Sequence, residues 1–406
     1  MSRATRITIV TLSVVVFLYA GLGFVLGKTN DDKAYRSLTV FEEVLQHVRE
    51  DYVDEPNMTV VTAGALHGLV ESLDPLSGYF SPREYADYRD RQKNSPRGES
   101  GLTLSKRFGY IVVVSVVPDG PAQKAGLRTG EILEAIGGFG TREMSVPQAY
   151  VMLQGAPGTQ VKVAVVRRGK TEPQQITITR GAIAAQHLVA DRVAGDVAYV
   201  RMPSIETGTV SELREKLVQF DRQGIRKLIL DLRDCSRGQV SDAVTAAQFF
   251  LSSGKVTSLE GQTVPRREFT AQTDKVVWRA PVKVLISTGT SGPAEVLAGA
   301  IGGNKRGDVI GERTFGLASE QKTILLDDGG ALMLTVALYS TPEGKSIVEE
   351  GVAPTIEVRS TPADAAASSE DEEPAPLGPG QLPKADDPVY NKAIELYSGT
   401  ALPKAA

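Results

Sequence analysis

Serine, threonine and glycine crowd one short stretch of this chain, Val282 to Gln321, VKVLISTGTSGPAEVLAGAIGGNKRGDVIGERTFGLASEQ. The pattern predicts a buried strand from Val282 to Ser287, a Gly/Thr/Ser turn and a small-residue helix from about Pro293 to Gly302, then a strand from Asp308 to Glu312 and a second glycine turn. A strand that breaks sharply into a helix N-terminus is a common seat for a nucleophile, because the exposed backbone N–H groups there stabilise developing negative charge. Upstream, the only cysteine, Cys235, follows the apolar run RKLILDLR. A reactive cysteine needs a base or a helix terminus to stabilise its thiolate, and none is evident, so a buried structural thiol is the simpler reading. His47, His67 and His187 are scattered away from the central stretch and suggest neither a zinc site nor a Ser/His/Asp triad. No metal or other cofactor is expected.

Several strings in and around this stretch carry a resemblance: ILDLR ending at Arg233, Glu295, VIGE from Val309 to Glu312, Thr314-Phe315-Gly316, Ser319, Gln321, and STPEGKSI from Ser340. With them the chain resembles the carboxyl-terminal processing (tail-specific) proteases, serine enzymes with a Ser/Lys dyad and an embedded PDZ domain. That family's turn reads approximately GSASASE, with the middle serine as nucleophile, and the lysine base follows in FGKGSVQ. A gap-free alignment of GTSGPAE and FGLASEQ puts Gly292 at the serine position and Leu317 at the lysine position. Gln321 matches the glutamine that orients the lysine. The family's NNPGG, whose glycine amides help form the oxyanion hole, is here Asp234-Cys235-Ser236-Arg237-Gly238, so Arg237 replaces one glycine and Gly238 remains. The resemblance therefore implies a protease scaffold from which the nucleophile, the base and half of the oxyanion turn are missing. Ser291 is the alternative nucleophile. It lies one residue out of register, and the nearest lysines, Lys305 and Lys322, are out of register too.

The elements around this stretch read as follows. Arg3 and Arg6 precede Ile7 to Leu26, twenty residues without a charge, enough to cross a hydrocarbon core at about 1.5 Å per residue. Residues 1–28 are accordingly expected to be a signal anchor with the basic end cytoplasmic, or a cleaved signal peptide, and the remainder is expected to be exported: anchored to the inner membrane and facing the periplasm, or periplasmic or secreted after cleavage. Residues 29–94 carry helical spacing at Leu38, Phe41, Leu45 and Val48, and again at Val61, Ala65, Leu66, Leu69 and Leu73, before the turn-rich LDPLSGYFSP. This region is expected to be a packing domain or, as the resemblance also implies, to serve dimerisation. Residues 95–181 resemble a PDZ domain, with GPAQKAGLRTGEILEAIGG as small helix and following strand. Such domains add a C-terminal peptide to a sheet edge while a loop of N–H groups captures its carboxylate. The matching loop is Ser100-Gly101-Leu102-Thr103-Leu104, with Thr103 in place of the usual glycine. Residues 182–359 are expected to form the protease-type core, 360–385 an acidic Pro/Ala linker unable to order itself, and 386–406 a short helix and tail.

The fold expected is α/β: a protease-type core of mixed sheet and helices (crotonase-like ββα), with an inserted PDZ domain and a helical N-terminal region. A formal net charge of −4 and the lack of long basic runs argue against nucleic-acid binding. Three functions compete: a non-catalytic homologue that binds C-terminal tails of exported proteins or pairs with an active homologue or itself, a peptidase with a rearranged site at Ser291, and a structural subunit.

Overall fold

The computed structural model describes residues 31–93, 98–167, 170, 172–348, 350–359 and 381–398. The proposed anchor at 7–26 and nearly all of the proposed linker lie outside them, and no helix among the described residues is long and apolar enough to cross a membrane.

The chain divides into two units, Met1–Leu66 and His67–Ala406. The first comprises helix α1 (Asp31–Asp51) and most of α2 (Met58–Glu71). The apolar stripe of α1 forms as its spacing predicts, yet Leu38 is 64% exposed and Phe41 41%.

The second unit contains three sheets. Strand β1 (Gly78–Phe80) and helix α3 (Pro82–Lys93) come first, so the segment expected to end in a turn contributes a strand. The reason is Asp74, whose carboxylate accepts from the Leu76 and Ser77 amides and from the Ser77 and Thr335 hydroxyls. It thereby aims Gly78–Phe80 at a distant partner strand.

The PDZ module follows: β2 (Leu102–Arg107), β3 (Tyr110–Val116), α4 (Pro121–Lys124), β4 (Ile132–Ile136), β5 (Phe139–Gly140), α5 (Val146–Leu153), β6 (Gln160–Val166) and β7 (Gln174–Thr179). Its strands run β2-β3-β4-β6-β7, leaving β2 at an edge. Ser145 starts α5 with a capping box, its side chain accepting from the Gln148 amide.

The core then runs through β8 (Val189–Ala194), β9 (Val197–Arg201), α6 (Thr207–Arg222), β10 (Lys227–Asp231), α7 (Val240–Gln248), β11 (Lys255–Glu260), β12 (Arg267–Thr270), β13 (Val282–Ile286), α8 (Pro293–Gly303), β14 (Gly307–Gly311), β15 (Ser319–Leu325), β16 (Ala331–Ser340), β17 (Ile356–Glu357) and α9 (Pro388–Ser398). One sheet has the order β17-β14-β13-β10-β9-β8, parallel except at β8. In the other, β1-β16-β11-β12, strand β15 also pairs with β16. Strands β10 and β13 lie mid-sheet and are buried on both faces, as unbroken apolar runs require. On one face, Leu213 and Leu217 of α6, Val244 of α7 and Leu297 of α8 share a core with Val284 and Leu230.

Against the other face packs α9, with Val389 and Ala393 on Tyr199, Ile229 and Leu285. It is tied down by Asp387, 2.7 Å from Arg233, and by the Tyr397 hydroxyl, which donates to the Leu228 carbonyl at 2.7 Å. The terminal helix is therefore part of the core.

Candidate active site

Parallel strands gather their carboxyl ends at one edge of a sheet, where ligand sites usually form. Here the ends of β10 and β13 deliver two turns, Asp234–Gly238 and Ser287–Gly292, and the loop after β14 brings Thr314–Leu317 beside them.

The second turn is held by its own side chains. Thr290 Oγ1 donates to the Leu232 carbonyl at 2.8 Å and accepts from the Ser287 amide at 3.0 Å. The turn ends at Gly292 with φ 58° and ψ −119°, a conformation that L-residues rarely adopt. Apart from its chain neighbours, a Cβ built at Gly292 would meet one described atom within 4 Å, the Ser236 carbonyl oxygen at 3.7 Å. So there is room for a side chain at the predicted nucleophile position, and an acceptor faces it. A developing oxyanion needs donors.

Glu295, in the first turn of α8, is fully buried and joins the two substituted positions. One of its oxygens accepts from the Gly292 and Leu317 amides, both at 2.8 Å, and the other from the Thr314 hydroxyl and the Gly316 amide. Burial pushes its carboxyl up to about 7 against the pull of these four donors. Because Gly292 and Leu317 bind one oxygen atom, the two positions that the sequence alignment matches to the family's serine and lysine stand side by side. Leu317 is half-buried. Gln321 is exposed in β15, and its Nε2 donates to the Leu76 carbonyl at 3.1 Å.

Ser291 does not assemble an alternative dyad. Its hydroxyl oxygen is buried with no hydrogen-bond partner. Its amide donates to the Cys235 carbonyl at 3.0 Å. The Cys235 thiol is buried, and that burial pushes its pKa up, away from the thiolate.

The turn at Asp234–Gly238 faces the PDZ module. Ser236 Oγ lies 2.7 Å from Thr103 Oγ1 and also bonds Ser115 Oγ. The Thr129 hydroxyl donates to Asp234 Oδ1 at 3.3 Å, and Arg237 Nη1 reaches Glu99 Oε2 at 3.3 Å. Gly238, at φ 122°, abuts Ile205, whose carbonyl oxygen would lie 1.9 Å from an added Cβ. Beyond the turn, Arg107 Nη2 donates to the Phe315 carbonyl at 3.0 Å, and its guanidinium stacks 3.9 Å above the Phe315 ring. Residues predicted to serve catalysis and residues predicted to bind peptide thus meet at one junction. The sequence reading missed the roles of Ser236, Asp234 and Thr129 there. Only Glu295, an acid in the first helical turn after Pro293, carried a local signal.

Gly101 has φ 77° and Leu102 to Leu104 start the free edge of β2, so the predicted carboxylate loop lies beside α5. A separate cavity of about 430 Å³, lined by Lys283, Lys305 and Arg306, opens at the amino ends of β13 and β14, away from these turns. Among the described residues no cluster of His, Cys, Asp or Glu could hold a metal ion.

Residues 196–358 match the family described as peptidase family S41, and residues 112–167 match a PDZ domain. The carboxy-terminal-processing protease of Bartonella bacilliformis is 32% identical over 334 residues, 81% of this chain and 76% of that protein. The carboxy-terminal processing protease CtpA of Bacillus subtilis is 26% identical over 352 residues, 86% of this chain and 75% of that one. A solved structure, the photosystem II D1 C-terminal processing protease, superposes with a TM-score of 0.67 at 26% identity, covering 79% of this chain and 92% of its own.

Proposed function

This chain belongs to the carboxy-terminal-processing protease family of PDZ-containing S41 peptidases, and on that footing we propose that it is a non-catalytic member that binds C-terminal tails of exported proteins, or presents them to an active homologue. The observation that carries this reading is the pairing of an intact backbone with absent chemistry. Gly292 keeps the strained turn and Glu295 keeps both loops in place, while the nucleophile and base positions hold glycine and leucine. A covalent mechanism loses most of its advantage when both groups go together. The edge strand β2 and the loop Gly101–Leu104 retain the form that receives an extended peptide. Export, through an anchor or a cleaved signal at residues 1–28, is part of the same reading, as is self-association through the exposed stripe of α1.

The test uses the full chain, an unstructured protein with an apolar C-terminus, and the Ser291→Ala variant. The expected result is no hydrolysis by either form and saturable binding of the tail. Cleavage by the wild type that Ser291→Ala abolishes would sink the proposal in favour of a rearranged peptidase. Absence of both cleavage and binding would leave a structural subunit.

A further inference from the structure

The free edge of β2 should offer its outward amides to an incoming tail, and Leu104 closes the loop that would receive the terminal carboxylate. In this structure that amide is already taken. Leu104 N–H donates to the hydroxyl of Tyr150 at 2.8 Å, across the gap between β2 and α5. Tyr150 stands in the middle of α5, half-buried, with its ring against the PDZ core that holds Leu102, Leu104 and Val146. The hydroxyl oxygen is an acceptor placed where a carboxylate oxygen would accept. Burial disfavours ionisation of this hydroxyl and raises its pKa overall, so it stays a neutral acceptor, while the Leu104 amide and the Arg237 guanidinium are the two nearby groups that would favour a negative charge. Arg237 itself comes from the turn that in active relatives would serve the oxyanion, and its side chain is 32% exposed.

We propose that Tyr150 is a resident plug in the tail-carboxylate site: its hydroxyl holds the Leu104 amide until the free C-terminal carboxylate of an extended peptide displaces it. The inference rests on the tail-binding reading above. It explains how an edge strand with a buried amide stays satisfied when no peptide is bound, since an orphaned N–H would be costly. It also sets specificity. A neutral chain end or an internal segment cannot exchange a hydroxyl for a charged acceptor, so it displaces the plug poorly.

The experiment titrates a fluorescein-labelled decapeptide with an apolar C-terminal residue, as free acid and as amide, against the full chain and its Tyr150→Phe variant. Phenylalanine keeps the ring and removes the competing acceptor. The free acid should bind the variant about three- to tenfold more tightly than the wild type, the worth of one hydrogen bond, with the amide weak on both. Tyr150→Leu, which also removes the hydroxyl, should move affinity the same way and stands in should the first variant not fold cooperatively. Free-acid affinity equal to or below that of the wild type in the folded variants overturns the plug while leaving tail binding in place. Equal binding of acid and amide by the wild type overturns it as well. If no form binds either peptide, the tail-binding reading falls and the plug with it.

Discussion

Two turns at the carboxyl edge of the core sheet have diverged in opposite ways. At Gly292 the backbone is strained and there is room for a side chain: φ is 58°, the Ser236 carbonyl oxygen alone lies within 4 Å of a built Cβ apart from its chain neighbours, and Glu295 ties the turn to the Leu317 loop. At Asp234–Gly238 the side chains are busy, with the Ser236 carbonyl facing Gly292 while Ser236 and Arg237 engage the PDZ module. A missing side chain can be restored by substitution at its own position, whereas a turn given over to another contact must also be released from that contact. The contrast teaches which part of the site would resist repair.

The largest effect should come from attempting that repair. Gly292→Ser with Leu317→Lys is expected to fold, since the strained φ costs about 1–3 kcal/mol, and to show no measurable peptide hydrolysis. Adding Ser236→Pro and Arg237→Gly should raise turnover by about a hundredfold or more, the usual worth of an oxyanion donor. Comparable hydrolysis by the two-site variant alone would erase the contrast between the turns.

Next comes the group that preserves the Gly292 turn. Glu295→Ala leaves four buried donors without an acceptor and should lower stability by about 3 kcal/mol or more in urea unfolding, with loss of order around Thr314–Leu317. A change under about 1 kcal/mol would mean that the two loops hold each other by packing.

The same carboxyl gives a pH signature. Its folded pKa, pushed up by burial to about 7, lies above the unfolded value, so the folded state binds the proton more tightly. Its contribution is therefore fully present below about pH 4.5 and lost as pH rises through about 7, a fall on the order of 3 kcal/mol. Unfolding midpoints between pH 5 and 8 should show this slope in the wild type, and Glu295→Ala should flatten it.

At the other turn, Arg237→Ala removes a partly exposed ion pair and should cost no more than about 1 kcal/mol, less at high salt. Its effect is expected on PDZ docking, read as faster amide exchange at Thr103 and Ser115. Smallest of all is Ser291→Ala: its buried hydroxyl has no partner, so the variant should match or slightly exceed wild-type stability. Marked destabilisation there would show that the hydroxyl has a bond that this structure does not contain.

Much of the fold was legible because burial leaves a pattern. The unbroken apolar run at Leu228–Leu230, the buried strand from Val282 and the small-residue helix from Pro293 read directly as elements. Strand β1 was not legible, because three residues carry no period and its partner β16 lies some 250 positions away. Within the site, Gly292, Leu317 and Arg237 could be located by register, yet their surroundings could not. The bonds from Ser236 to Thr103 and from Tyr150 to Leu104 join residues far apart in the chain, and only folding brings them within reach.

By itself, then, the sequence determined the family, most of the order of the elements and which residues align with the family's dyad, since residue identity and short-range spacing suffice for these. Tertiary structure alone decided that Gly292 takes up its strained conformation, that Glu295 binds the Gly292 and Leu317 loops together, that the Ser236 carbonyl faces Gly292 and that Tyr150 occupies the Leu104 amide. Each of these depends on the direction of an N–H, a C=O or a hydroxyl. Directions across a junction are set by how distant segments pack, which no local pattern encodes.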